Sequence, residues 1–399
     1  MKSLVLAIFI WSILAVVSPA QSLANPLVLD RRVLDARRAA FLSSAQSERS
    51  ATARKLIKSA DRLVAKGKTF SVMKKSPTPP SGDKHDYMSQ APYWWPDPSK
   101  PNGLPYIRRD GERNPELSRI SDHDELDQML EDSEVLALAY YFSNEEKYAK
   151  QAAAVLRAWF LDPETKQNPN LKFAQGIPGI GAGRGIGLIE TRHFHRAIDA
   201  AILLQSSRSW TRDDHESLKK WFGQFLDWII ESPLGKDEAD ERNNHGTYYD
   251  VQVVTYAIFT GRTDLARKQL EVTKSRIASQ IEPDGSQPHE LARTLSWGYV
   301  NMNLMGFFTL ARLSESVNVD LWNYKTADGR SIKSAFEWLV PYAANEKEWT
   351  HKQLKPRTFE LTARLLNIGA AKYKDPRYAA ITGRLETTGD GTFRSLGIY

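Results

Sequence analysis

The chain has 399 residues, 41% of them hydrophobic, a formal charge of +6 and no cysteine. That length suffices for a large core in one or two domains, and the missing thiols exclude disulfide frameworks, cysteine–zinc sites and thiol catalysis. The mild basic excess favours acidic partners such as nucleic acid, anionic lipid or a polyuronate, but no lysine–arginine block resembles a nucleic-acid arm.

The N-terminus reads as a secretory signal. Lys2 supplies the charged start, residues 4–17 a short apolar run, and Ser18, Ala20, Ser22 and Ala24 the small residues of a cleavage region. Pro19 crowds the first site, so the cut is expected after Ala24, leaving one domain over 25–399 in the periplasm or outside the cell. The apolar run falls short of the roughly 20 residues of a membrane span, so no membrane partner is expected after cleavage.

Apolar residues then recur at three- and four-residue spacing, which predicts helices over 39–65, 122–142, 145–160, 190–205, 212–231, 248–259, 262–281 and 295–313, with further ones near 334–343 and 358–372. Leu218, Trp221, Phe222, Phe225, Leu226 and Ile229 make one broad stripe. Ser121 and Thr211 are plausible helix starts. Strand signals are few, and short polar connections point to antiparallel helical hairpins. An all-α toroid with inner and outer helix layers around a cleft is the expected fold. Two irregular segments interrupt it, a proline-rich 75–115 and a glycine-rich 167–187; loops this long usually have a use, and both are expected to overhang the cleft.

The first loop carries Tyr93-Trp94-Trp95-Pro96, whose rings can stack on pyranose faces or simply plug the loop onto the helical body. Arg108 and Arg109 lie close by to meet carboxylates. The second loop contains no G-x-G-x-x-G, and Gly67-Lys68-Thr69 has Arg62 where a phosphate loop needs glycine; its better use is to carry Arg184 into a cleft. His123, His193 and His195 invite a metal, but residues two apart on a helix face apart, so His193 and His195 should diverge. His193 is left to line a pocket beside Glu190 and Arg192. Asn243-Asn244-His245 precedes Tyr248 and Tyr249 at a helix start, where an ordinary cap and a surface histidine are the simplest reading. Arg293 and Tyr299, six residues apart, sit about 120° apart on a helix and meet only if the helix begins between them.

Tyr87-Met88-Ser89, the run Ala91-Pro92-Tyr93-Trp94-Trp95-Pro96-Asp97-Pro98 and the continuation Gly103-Leu104-Pro105-Tyr106-Ile107-Arg108-Arg109-Asp110-Gly111 resemble the entry motif of the alginate lyase superfamily. Asn244-His245 and Arg293…Tyr299 resemble its two active-site segments, so the likeness runs over 87–308. The six-residue Arg-to-Tyr interval is closer to polysaccharide lyase family 38 than to family 5, where it is seven. The resemblance implies an (α/α) toroid, an incomplete barrel of helical hairpins, with no required cofactor or metal and an anionic polysaccharide as partner. The implied reaction is β-elimination on a polyuronate, mannuronate-rich alginate first and glucuronan as the alternative. Asn244 and Arg293 would stabilise charge, with His245 assisting or acting as base. Tyr299 would protonate the leaving oxygen, and would serve as base only if Arg293 lowers its pKa. Tyr93, Trp94, Trp95, Arg184, Glu190, Arg192, His193 and Tyr249 are the candidates to hold the chain. Two rivals stand beside this reading: a glycoside hydrolase pairing Glu190 with Asp250 or Glu290, and a non-catalytic uronate-binding protein.

Overall fold

The helical periodicity is realised as hairpins in which one helix is enclosed and its successor covers it. The computed structural model describes residues 25–43 and 48–385; the signal segment assigned to 1–24 lies outside them, as does the end of the assigned domain. The chain begins with α1 (Arg31–Leu42) and α2 (Glu48–Lys66), packed against each other. Of the helix expected over 39–65, the described residues fall in α1 and α2, and residues 44–47 lie outside the described residues. There follow α3 (Asp122–Ser143), α4 (Glu146–Phe160), α5 (His195–Leu203), α6 (Arg212–Glu231), α7 (Pro233–Asp240), α8 (Asn244–Phe259), α9 (Thr263–Gln280), α10 (Pro288–Leu291), α11 (Ser296–Glu315), α12 (Ile332–Ala343), α13 (Glu360–Tyr373) and α14 (Pro376–Thr382).

Burial sorts these helices into two layers. Fifteen of the 22 residues of α3, 14 of the 16 of α8 and 15 of the 20 of α11 are buried, so these helices are covered on nearly all sides and form the inner wall with α5. The outer α4, α6, α9 and α12 keep one polar face. Pairing of α3 with α4, α8 with α9 and α11 with α12 gives the (α/α) toroid. The α6 stripe from Leu218 to Ile229 is wholly buried, and Trp221 stands edge-on to Phe160 at 4.8 Å. The α6 start carries a full capping box between Thr211 and Asp214. Ser121, by contrast, makes no capping bond. Among the described residues no helix is long and apolar enough to cross a membrane.

The helix expected over 190–205 starts only at His195, because a 3₁₀ segment, Gly185–Thr191, precedes it. The charged sequence over 236–242 reads as a turn, but as far as Asp240 it belongs to α7, entered through Pro233, with Ser232 accepting from the Gly235 N–H at 3.0 Å.

The two long loops are joined. Strand β1 (Met88–Gln90) pairs in parallel with β4 (Phe173–Gly176), and β2 (Trp94–Trp95) pairs antiparallel with β3 (Ile107–Arg108). Further bonds run from Ala91 N to Gly176 O at 2.9 Å and from Tyr106 N to Pro178 O at 3.1 Å. The root of the first loop is fixed by Lys75, whose ammonium donates to Val72 O at 2.6 Å and Lys84 O at 2.7 Å and pairs with Asp122 at 3.0 Å. Both side chains are fully buried, so all three ammonium hydrogens have an acceptor in a dry setting. Asp122 also accepts from the Met88 N–H at 2.9 Å, tying β1 to the start of α3. Lys75→Ala strands that carboxylate and is expected to cost about 3–5 kcal/mol in urea unfolding. Adding Asp122→Asn to Lys75→Met should recover part of the loss.

Candidate active site

The site grows from the first turn of α8. Asn243 caps it, its side chain accepting from the His245 N–H at 2.8 Å, as the simplest sequence reading had it. The next two residues do more. Asn244 donates its backbone N–H to Glu290 Oε1 at 2.6 Å and its side-chain amide to Glu290 Oε2 at 2.8 Å. Glu290, on the short α10, is almost fully buried, and burial pushes its pKa up to about 7 against the pull of the two Asn244 bonds. With the amide nitrogen held this way, the Asn244 Oδ1 is buried without a partner among the described residues.

His245 is fixed from the other side. Its Nδ1 lies 2.9 Å from Oε1 of Glu238, a wholly buried carboxylate of α7 whose pKa burial raises and His245 lowers. This contact sets the ring orientation and, with Glu238 ionised, places the proton on Nδ1 and leaves Nε2 as the basic nitrogen. α7 packs on the glycine-rich loop, and a Cβ at Gly185 would collide with Asp237 and one at Gly187 with Ala174. Close packing at these two positions therefore accounts for glycine there.

Arg293 and Tyr299 meet, because α11 begins at Ser296, between them. Arg293 Nη2 donates to the Tyr299 hydroxyl at 2.7 Å, and its guanidinium lies 3.7 Å from the centre of the same ring. Asp110 of the first loop accepts from Arg293 Nη2 at 2.8 Å and Nε at 3.3 Å, and from Thr294 Oγ1 at 2.8 Å. Burial opposes its ionisation, but these bonds hold its carboxyl well below the usual range. Tyr93 brings a second phenol, its oxygen 3.1 Å from that of Tyr299. Burial, then Tyr93, raises the Tyr299 pKa well above its ordinary value; Arg293 opposes the shift without reversing it. The contact that a basic Tyr299 would need thus exists, and the phenol is nevertheless held protonated.

Neither Trp94 nor Trp95 is buried. Each ring carries a guanidinium, Arg184 at 6.0 Å from Trp94 and Arg109 at 5.3 Å from Trp95. Arg184 donates to Gln175 at 2.7 Å while its buried Nε has no partner among the described residues; burial and the nearby Arg108 bring its pKa down to about 10. Arg108 itself pairs with Asp110 at 2.8 Å. Other candidates sit further inside. Glu190, expected to line the cleft, is 3% exposed and accepts from Tyr87 and Ser89 at 2.7 Å each, so it anchors the loop from behind. Tyr249 is buried at 6% exposure, and burial lifts its phenol to about 12. Arg192 is half-buried and donates to Ile189 O at 3.0 Å. His193 does not diverge from His195: their rings meet edge-on at 5.8 Å, because a turn rather than a helix links them. His193 also stands 6.4 Å from Tyr248, and burial holds both imidazoles neutral. Among the described residues no group of three or more His, Cys, Asp and Glu could hold a metal ion.

This arrangement can be set beside known proteins. The alginate lyase family model matches residues 71–349. This chain belongs to the alginate lyase family. The crystal structure of an alginate lyase from Bacteroides ovatus is similar to it at 39% identity, covering 94% of this chain and 99% of that one with a TM-score of 0.88. Alginate lyase A1-III from Sphingomonas species A1 shares the fold at 19% identity, with 94% and 97% coverage and a TM-score of 0.60. A variant of that enzyme complexed with a tetrasaccharide superposes equally well, at 0.60. No curated protein sequence matches.

As a family member the chain is a polysaccharide lyase, and its carboxylates agree with that class. The hydrolase alternative needed two acids facing a cleft, but Glu190 and Glu290 are buried and bonded as described. Asp250 is fully buried against Arg276 at 2.9 Å and Thr273 at 2.9 Å. Glu238, Asp110 and Glu290, which hold His245, Arg293 and Asn244, were passed over by motif reading or given another role.

Because the folded pKa of Glu290 lies near 7, above the ordinary 4.5, the folded state holds an extra proton between those values. Its contribution to stability is complete below the unfolded pKa and is lost as pH rises through about 7. Wild type should therefore lose up to roughly 3 kcal/mol relative to Glu290→Gln between acid and mildly alkaline pH, measured as paired urea unfolding curves.

Proposed function

We propose that the protein cleaves a polyuronate, mannuronate-rich alginate first, by metal-independent β-elimination, after export to the periplasm or beyond the cell. The observation that carries this reading is the Arg293–Tyr299 contact at 2.7 Å, with Tyr93 at 3.1 Å on the same hydroxyl: a cation beside a phenol that burial keeps protonated. Elimination requires three things. The uronate carboxylate must be neutralised so that the C5 proton becomes acidic. A base must take that proton, and an acid must deliver one to the departing glycosidic oxygen.

Arg293 Nη1 makes no protein hydrogen bond among the described residues, which leaves it for the substrate carboxylate, and Glu290 takes one hydrogen of the Asn244 amide nitrogen and so orients the second as a further donor. Preorganised donors of this kind contribute roughly 3–4 kcal/mol each to the transition state. Tyr299 gives its proton to the O4 leaving group. His245, oriented by Glu238, takes the C5 proton through Nε2, and Tyr299, held protonated, acts as the acid alone. The C4–O bond breaks, the C4=C5 bond forms, and proton and electron counts balance with no added reactant. Charge neutralisation by Arg293 and Asn244 makes a metal unnecessary, so chelator-treated protein should keep its activity. Trp94, Trp95 and Arg184 supply stacking and charge for neighbouring sugars, and the tetrasaccharide complex of the Sphingomonas relative supports a saccharide chain as partner.

Incubation with polymannuronate, polyguluronate and glucuronan should raise ultraviolet absorbance from the new double bond, most strongly for polymannuronate. Tyr299→Phe should lower kcat by about 10²–10⁴-fold. Saturated reducing ends without that absorbance would mean hydrolysis. Glu238→Gln should reduce kcat by up to about 10²-fold with little change in KM and should shift the pH profile, because the base remains but its tautomer is no longer fixed.

A further inference from the structure

The segment linking α12 to α13 forms a second concave surface that the elimination chemistry leaves unused. A cavity of about 500 Å³ is lined there by Lys347, Glu348, Trp349, Gln353, Lys355 and Arg357 among others, within the roughly 300–1,000 Å³ of small-ligand sites. Three cations face one carboxylate. Among the described residues, none of the three has a carboxylate oxygen within the 4.0 Å of an ion pair. Arg357 makes only long bonds, 3.4 Å to Tyr342 O and 3.4 Å to Asn345 Oδ1, and its guanidinium lies 4.9 Å from the Trp297 ring. Trp349 is held rigidly, donating to Ser296 Oγ at 3.1 Å and standing edge-on to Trp297 at 5.0 Å. Gathering unneutralised like charges costs energy that a bound anion offsets.

The pocket wall is bonded to the catalytic segment. Leu354 N donates to Thr294 O at 2.9 Å, Ser296 N to Lys352 O at 3.3 Å and Trp297 N to Gln353 Oε1 at 3.1 Å. Each of Thr294, Ser296 and Trp297 lies between Arg293 and Tyr299. We propose that this pocket is a remote subsite for a uronate residue of the chain being cleaved. Lys347, Lys355 and Arg357 take the carboxylate and Trp349 meets the apolar face of the sugar ring. An aromatic wall beside the cations fits a pyranose acid better than a compact inorganic anion, which would leave Trp349 unused. This inference rests on the lyase reading, and remote binding of this sort is the means by which long substrates gain over short ones.

The test compares wild type with the Lys347→Ala/Lys355→Ala double variant, both side chains being exposed, and with Arg357→Lys as a milder second variant. The ratio of kcat/KM on long polymannuronate to that on the shortest cleaved oligosaccharide should fall about tenfold in the double variant, carried by KM. An unchanged ratio, or an equal fall on both substrates, would overturn the proposal. Titration calorimetry on Tyr299→Phe protein, with and without the lysine changes, reads the pocket separately from turnover. Weaker binding of uronate oligosaccharides without the two lysines supports the subsite. Unchanged binding, or inorganic phosphate bound as tightly as the oligosaccharide, overturns it. If wild type forms no unsaturated product from any polyuronate, the lyase reading fails and the calorimetric result still decides the pocket.

Discussion

The carboxylate of Asp110 is the constraint on which the site geometry depends. It comes from the proline-rich loop, yet its bonds go to Arg293 and Thr294, some 180 residues later in the chain. Without it, the Arg293 guanidinium would keep only its bond to Tyr299; with it, two of its nitrogens are committed while the group stands 3.7 Å from the centre of the Tyr299 ring. Charge-assisted, two-point contacts of this kind fix direction as well as distance. The loop therefore fixes the direction of Arg293 as well as carrying Trp94 and Trp95.

The inner wall of the toroid pays for a polar cleft with a polar interior. Gln280 accepts from Thr247 and Asn303 at 3.0 Å each, Asn303 also donates to Gln287 at 2.9 Å, and these side chains are buried between α8, α9 and α11. Each bond contributes modestly, but a buried polar group left unmatched costs more than a matched one contributes. The network thus favours one register of the inner helices over its neighbours. That register sets where α8 and α11 begin, and hence where Asn244, His245 and Tyr299 stand.

Much of this was legible in the sequence, for identifiable reasons. The large helices follow from apolar spacing, and 212–231 is the clearest because its stripe and its capping residues agree. Spacing failed where a 3₁₀ segment replaced the first turn of a helix, at 185–191, and that failure misjudged His193 and His195. It also failed at α7, where charged residues on a short helix look like a turn. Asn244, His245, Arg293 and Tyr299 were singled out by residue type and family likeness, and the structure brings Arg293 onto Tyr299 and gives Asn244 and His245 a buried carboxylate each. Glu238 and Asp110 were invisible to spacing because each acts across a tertiary contact. Glu190 was misjudged because a carboxylate near a cleft and a carboxylate behind it have the same sequence signature.

The parallel pairing of β1 with β4 has a mechanical consequence. The proline-rich and glycine-rich loops share strand bonds and the Tyr106–Pro178 contact, so a change in either strains the other. Tyr93 and Asp110 lie on the first of them and touch Tyr299 and Arg293. The order of the Arg293–Tyr299 pair therefore depends on two loops at once, and a substitution in the glycine-rich one can reach the Tyr299 phenol through Tyr93 without touching it.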